Sequence, residues 1–434
     1  MTQQNQTVAF HTLGCKVNQY DTQAMRERFE AAGYQTVDFD GPADVYVVNT
    51  CTVTGTGDKK SMQTIRRCHR QNPAAQIVVT GCLAQRAASE LTLPGVRLVL
   101  GTQRRGEVVE LLHRAMEQEC ALVAVETLRQ APFEHLTVHA HEGHTRATMK
   151  IQEGCDRYCT YCIIPSVRGP IRSRPVAEIE QEAQSLSQAG FAEVVLTGIH
   201  LTSYGRDMKD GTTLLDAIRA VHDVPGIARI RLGSLEPVIV TPAFVQGVAA
   251  IPKVCHQFHL ALQSGSDTVL ARMHRRYTSG EFLTACALLR NAFDDCAITT
   301  DVMTGFPGET EEEFAQTQET CRRAGFARMH VFPYSEREGT KAATMPGSVP
   351  RAVREARARD LIALGHELER QALDARVGRT EQVLIEELDE AGCGVGYTGA
   401  YMRVSVPGAK PGSIVQAEIT GVAPGGLTGR KLEA

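Results

Sequence analysis

Short apolar runs alternate with helix-period segments twice along this 434-residue chain, and no other feature narrows the fold as far. In the first series, Val8–Thr12 reads as a strand and Asn18–Ala32 as a helix. Val45–Asn49 is followed by Lys59–Arg70, Ile77–Thr80 by Ala84–Glu90, and Val96–Leu100 by Gly106–Gln118. Such alternation implies an α/β domain with a doubly wound parallel sheet, assigned to residues 1–125. Residues 126–145 carry Pro132, His135, His139, His141 and His144. A His-rich tract can bind metal, but these residues read better as a polar linker.

The second series fills residues 146–372. Its strands are Ala147–Gln152, Glu193–Thr197, Arg229–Leu232, Phe258–Leu262, Ile298–Met303 and Met329–Phe332. Helical patterns such as Glu178–Gln188, Leu214–Val221 and Glu311–Ala324 separate most of them. Six β/α units are too few for a closed eight-fold barrel and suit an open, partial (β/α)6 barrel. A charged helix, Arg351–Ala375, closes this part. Residues 373–434 change character: Gly392, Gly394, Gly396 and Gly399 punctuate short apolar runs at Val383–Ile385, Met402–Val406 and Ile414–Ile419, as in a small β-barrel.

Composition sets the chemistry to look for. Hydrophobic content of 43% with 22% charged residues excludes wholesale disorder. There is no uncharged apolar stretch of the about 18 residues a membrane span needs, and Met1–Phe10 lacks the pattern of a secretory signal. A cytoplasmic protein without a membrane partner is expected. Thirteen cysteines in a reducing compartment then ask for metal, catalysis or plain burial.

The strongest motif is Cys155-Asp156-Arg157-Tyr158-Cys159-Thr160-Tyr161-Cys162, directly after the first strand of the second series. Three thiolates on one loop can hold three irons of a [4Fe–4S] cube, a group ordinarily held by four Cys. One iron is left open to a chelating molecule, and the α-amino and α-carboxylate groups of S-adenosylmethionine would suit it. Zinc is the plainer alternative, but its sites usually show two paired motifs, and no second C-x2-C is present. A second constellation is dispersed: Cys15, Cys51 and Cys82 each fall just past the carboxyl end of an expected strand. In an open parallel sheet those ends share one edge, so three distant thiols can converge. Taken alone they could equally be buried structural cysteines; beside the first motif they read as a second three-Cys cluster. Cys68, Cys120, Cys255, Cys286, Cys296, Cys321 and Cys393 show no ligand pattern.

The Cys155–Cys162 loop resembles that of the radical S-adenosylmethionine superfamily, and the two constellations together resemble its methylthiotransferase family over nearly the whole chain. The resemblance implies an N-terminal methylthiotransferase domain, a radical S-adenosylmethionine partial barrel and a TRAM-like β-barrel. It also implies two [4Fe–4S] clusters, S-adenosylmethionine, an electron donor and a sulfur source. The segments Thr12–Asp21, Asn49–Thr54, Ile163–Pro165 and Thr197–Leu201 look like the branch acting on threonylcarbamoyladenosine. The implied reaction is methylthiolation of C2 of N6-threonylcarbamoyladenosine at position 37 of tRNA. Isopentenyladenosine in tRNA or a ribosomal-protein aspartate are the alternative substrates, and a non-catalytic iron–sulfur protein for electron transfer or RNA binding is the rival of another class. By the same resemblance, Ser234 and Glu236 would help hold the cofactor, Gln263 would lie close to it, and Tyr161 would lie against its adenine. Gly233, Ala261 and Thr304 depart from the usual family residues.

An anionic tRNA needs cations, and a net charge of −4 confines them to local patches. Lys59, Lys60, Arg66, Arg67 and Arg70 form one basic run without an acid, and Arg168, Arg172 and Arg174 form another after the cluster loop. Each alone reads as a solvated face; together they would make a track for an anticodon loop. The C-terminal domain would add RNA affinity by resemblance, although Asp374–Ala434 carries six Lys/Arg against eight Asp/Glu.

Overall fold

The computed structural model describes residues 6–118, 120–139 and 145–433. In the first unit, β1 (Thr7–Thr12), β2 (Gln35–Thr36), β3 (Val45–Thr50), β4 (Gln76–Gly81), β5 (Val96–Leu100) and β6 (Leu122–Ala124) form a parallel sheet of order β2-β1-β3-β4-β5-β6. Side-chain alternation divides its two faces. Val8, Val45, Val47, Val78 and Leu98 pack beneath α1 (Lys16–Ala31) and a helix at Val108–Met116. Ala9, Tyr46, Val48, Ile77 and Val79 pack beneath α2 (Gly55–Gln71) and α3 (Cys82–Arg86). The sheet is thus doubly wound, and its carboxyl edge collects the β1–α1, β3–α2 and β4–α3 turns. The expected helix Ala84–Glu90 instead begins at Cys82 and passes at Ala88–Leu91 into a 3-10 turn. The Val108–Met116 helix is α4.

The linker is strapped down rather than loose. Leu136 and Val138 pack against Tyr20 and Ala24 of α1, while His135 and His139 pair with Glu178 and Glu27, each at 2.9 Å. His141 and His144 lie outside the described residues.

The second unit contains β7 (Arg146–Glu153), α5 (Ile164–Arg168), β8 (Arg172–Ser173), α6 (Val176–Gln188), β9 (Glu193–Gly198), α7 (Leu214–His222), β10 (Arg229–Leu232), α8 (Pro242–Ala249) and β11 (Gln257–His259). It continues through α9 (Asp267–Arg272), α10 (Ser279–Ala292), β12 (Ala297–Thr304), α11 (Glu311–Ala324), β13 (Arg328–Pro333) and α12 (Arg351–Asp374). β7, β9 and β10 pair in parallel, as do β11, β12 and β13, and single bridges (Ile230 with Val254, Leu235 with Leu260) join the two groups. Six parallel strands therefore curve into the expected open barrel. Ala147, Met149 and Ile151 of β7 point out into the helix-covered core, which leaves Lys150 and Gln152 on the other face. The acids Glu311–Glu313 serve the start of α11, where Thr310 and Glu313 make a capping box.

The third unit is a closed barrel of β14 (Thr380–Leu388), β15 (Gly394–Thr398), β16 (Arg403–Val406), β17 (Ile414–Ala423) and β18 (Gly426–Lys431). Its strands include the glycine-rich run itself, because Gly396 lets the β14 backbone come where a side chain would clash with the Leu384 carbonyl. Arg229 and Arg231 of β10 donate to the carbonyls of Tyr397, Thr398 and Gly399, tying this barrel to the larger one.

Candidate metal centres at a domain interface

The local loop comes first. Gly154 adopts φ +72°, and a side chain there would collide with the Pro170 carbonyl, so a glycine is needed where the chain leaves β7. The loop is pinned at Cys155 N–H to the Gly169 carbonyl (3.0 Å), Thr160 N–H to Met273 (3.1 Å) and Cys162 N–H to Cys159 (3.0 Å). Cys155, Cys159 and Cys162 lie within electrostatic reach of one another. Burial pushes the Cys155 thiol up to about 11 and the Cys162 thiol up to about 12.

The distant thiols also meet. Cys15 stands at the N-cap of α1, Cys51 just past β3, and Cys82 opens α3. Gly14 (φ +103°) makes the approach possible: a Cβ there would sit 2.9 Å from the Cys51 Cβ and 3.0 Å from its Sγ. Buried Asn18 ties the two turns by donating to the carbonyls of Leu13 (2.7 Å) and Thr50 (3.1 Å). Cys82 lies within electrostatic reach of Cys15 and Cys51, and burial pushes its thiol up to about 11. Cys51 is raised for the same reason.

The donor chemistry of both trios fits iron–sulfur groups. Bare thiolates are disfavoured by this burial, whereas a bound metal deprotonates a thiol outright. Among the described residues no three Cys, His, Asp or Glu close around a single ion. Thiols binding different irons of one cube stand further apart than ligands sharing one zinc.

The two trios share an interface. Cys82 packs with Ile163, Ile164 and Val167, the residues that follow Cys162. Arg337, just past β13, reaches Asp58 of α2 (2.6 Å) and Thr52 beside Cys51.

Around the barrel mouth, Glu236 is 5% exposed and lies between Arg157 (3.0 Å), His200 (3.1 Å) and Arg275 (3.1 Å). Despite burial, the hydrogen bond from His200 and the Arg275 and Arg157 guanidinium groups hold its carboxyl down at about 2. Arg275 also donates to Cys159 Sγ (3.4 Å) and to the Tyr277 hydroxyl (3.0 Å). Gln263 adopts φ +63°, a costly conformation for a residue with a side chain, and its buried amide oxygen has no hydrogen-bond partner among the described residues. Such an orphan fits a site that receives a polar ligand. Tyr161 packs edge-on to Phe306 with ring centroids 6.4 Å apart, and Ser234 is exposed. Arg157, His200 and Arg275 were not singled out in the sequence. Only their loop positions could have hinted at them.

The basic residues divide. Lys59, Lys60, Arg66, Arg67 and Arg70 are all exposed on α2, and Lys60, Arg67 and Arg70 line a groove of about 660 Å³ with His11 and Leu13, beside Cys15. Arg67 is partly engaged by Asp40 at 2.6 Å. Arg168, Arg172 and Arg174 do not extend this track. They are 0%, 5% and 2% exposed and their guanidinium groups face inward. Arg168 meets Asp21 (3.2 Å) and Glu153 (3.1 Å), Arg174 meets Glu182 (2.7 Å), and Arg172 donates to the Arg168 carbonyl (2.5 Å). A buried guanidinium is retained only where such partners offset its desolvation, so these three cannot also serve phosphates.

Asp21 is the hub of this seam, bonded to Arg105, Lys150 and Arg168 at zero exposure. Asp21→Ala leaves buried Arg105, Lys150 and Arg168 to share Glu134 and Glu153, and the uncompensated charge is expected to destabilise the protein by about 3 kcal/mol, read as a lowered urea midpoint at unchanged slope.

An open barrel of six parallel strands with three thiols on the loop after its first strand is the arrangement the resemblance to radical S-adenosylmethionine proteins implied. Family models agree: the uncharacterized protein family UPF0004 matches residues 7–101, the radical SAM superfamily 149–321 and the TRAM domain 374–432. The chain is 44% identical over 421 residues to the threonylcarbamoyladenosine tRNA methylthiotransferase MtaB of Bacillus subtilis (strain 168), covering 95% of this chain and 93% of that protein. It is 34% identical to the protein of that name from Thermotoga maritima, covering 97% and 96%. It is 37% identical to a tRNA-2-methylthio-N(6)-dimethylallyladenosine synthase of Frankia casuarinae, covering 96% and 84%. The chain belongs to the radical S-adenosylmethionine methylthiotransferase family, whose enzymes use iron–sulfur clusters and S-adenosylmethionine. Among solved structures, the radical S-adenosylmethionine methyltransferase TsrM from Kitasatospora setae superposes with TM-score 0.58 at 15% identity, over 78% of this chain and 77% of that one, a likeness of fold. No helix among the described residues is long and apolar enough to cross a membrane.

Proposed function

We propose that this protein methylthiolates C2 of N6-threonylcarbamoyladenosine at position 37 in the anticodon loop of tRNA. The observation that carries the reading is the packing of Cys82 on Ile163, Ile164 and Val167, which brings one thiol of the dispersed trio against the residues that follow Cys162. Cys155, Cys159 and Cys162 hold one cluster, and Cys15, Cys51 and Cys82 hold the other. When bound, these clusters and S-adenosylmethionine supply hydrogen abstraction, sulfur and the methyl group. The chain's own residues position and enclose. Gln263 offers its unpartnered amide oxygen to the cofactor, Glu236 is held ionised and rigid by Arg157, His200 and Arg275, and Tyr161 with Phe306 supplies an apolar wall. The exposed face of α2 meets the phosphates beside Cys15. An electron donor and a sulfur source complete the cycle. The 44% identity to the relative named for threonylcarbamoyladenosine, against 37% to the one named for dimethylallyladenosine, supports this substrate over isopentenyladenosine.

Nucleoside analysis of tRNA from cells lacking the protein tests the reading. It expects threonylcarbamoyladenosine to persist without its 2-methylthio derivative; unchanged 2-methylthio content contradicts it. The exposed basic face of α2 makes a separate prediction. Replacing Lys60, Arg66 and Arg70 by Gln should weaken tRNA binding and flatten its dependence on log salt by about 2, at about 0.7 per lost single-strand phosphate contact. An unchanged slope would remove α2 from the interface.

A further inference from the structure

The seam between the first two units holds an odd charge count. Arg105, Lys150, Arg168 and Arg172 are at most 5% exposed. Among the described residues the carboxylates facing them are Asp21, Glu153 and Glu134. Four cations thus stand against three carboxylates. Arg172 is served by the carbonyls of Arg168 (2.5 Å) and Pro132 (3.5 Å), which offset its hydrogen bonding but not its charge. A buried surplus charge is costly unless an anion answers it. One group is placed to do so: Arg168 Nε donates to Cys82 Sγ at 3.1 Å. The other arms of the same guanidinium reach Asn18 and Asp21 of the first unit and Glu153, two residues before Cys155, of the barrel.

We propose that Arg168 is a positioning residue for the second cluster. Its guanidinium hydrogen-bonds the Cys82 ligand sulfur, and the seam's surplus positive charge offsets the negative charge of the thiolate-bound group. Both effects favour the more reduced, more negative state, so Arg168 holds that cluster's reduction potential up. The same side chain spans from Cys82 to Glu153 and fixes one thiol trio relative to the other. This rests on Cys15, Cys51 and Cys82 being cluster ligands.

The test isolates that cluster in the full chain by replacing Cys155, Cys159 and Cys162 with Ala, followed by anaerobic reconstitution and a redox titration monitored by electron paramagnetic resonance. Arg168→Met in this background is expected to retain iron and shift the potential downward. Arg168→Lys, which keeps the charge but not the forked donor, is expected to shift it less. A potential unchanged by either substitution, at equal iron content, overturns the proposal. If Arg168→Met does not fold, the Lys variant decides alone, and an unchanged potential there overturns it. A parent chain that binds no cluster overturns the ligand assignment of Cys15, Cys51 and Cys82, and the proposal with it, whatever Arg168 does.

Discussion

Cys155→Ala is expected to abolish reductive cleavage of S-adenosylmethionine by the reconstituted protein. The loop after β7 offers three thiols and no fourth, so losing one leaves two ligands for a group that needs at least three. The loss should exceed the about 10–100-fold that removal of an outer partner of a metal site costs. No neighbouring cysteine can take over, since the remaining thiols of the barrel (Cys255, Cys286, Cys296 and Cys321) are outside the loop, and Cys286 and Cys321 pack in the core beneath its helices. Detection of 5′-deoxyadenosine by chromatography checks this. Cleavage near the parent rate would mean that the loop does not hold the reducing cluster.

Cys82→Ala should behave differently, and the contrast is the more informative result. The Cys155–Cys162 loop keeps its backbone pins to Gly169 and Met273, so cleavage of S-adenosylmethionine should continue. Sulfur insertion should fall to background, because Cys15 and Cys51 alone cannot retain the second cluster. The methylthio product disappears while cofactor is still consumed. Cleavage and product lost in equal proportion would argue that the first-unit thiols serve only the fold.

Much of this architecture is legible in the linear sequence, for a physical reason. The β/α alternation and the Cys155–Cys162 spacing are local patterns, and local patterns survive in a linear sequence. The Cys15, Cys51 and Cys82 grouping was also legible, because parallel strands must present their carboxyl ends along one edge. Arg168, Arg172 and Arg174 misled as a surface patch, since their partners Asp21, Glu153 and Glu182 are brought in by α1, β7 and α6, and such pairings are set by tertiary packing. The guard around Glu236 was hidden for the same cause, as Arg157, His200 and Arg275 come from three separate loops. In the C-terminal barrel, β15 is not among the strands expected from the short apolar runs. It is a strand because Gly394 and Gly396 admit close backbone contacts that no propensity scale anticipates.

Iron and sulfide analysis of the anaerobically reconstituted wild-type chain tests the central claim most directly, run beside the variant lacking Cys15, Cys51 and Cys82. Two cubes require about eight irons and eight sulfides per chain, falling to about four of each in the variant. A wild-type chain that saturates at about four, with no further loss in the variant, would contradict the account of two facing clusters.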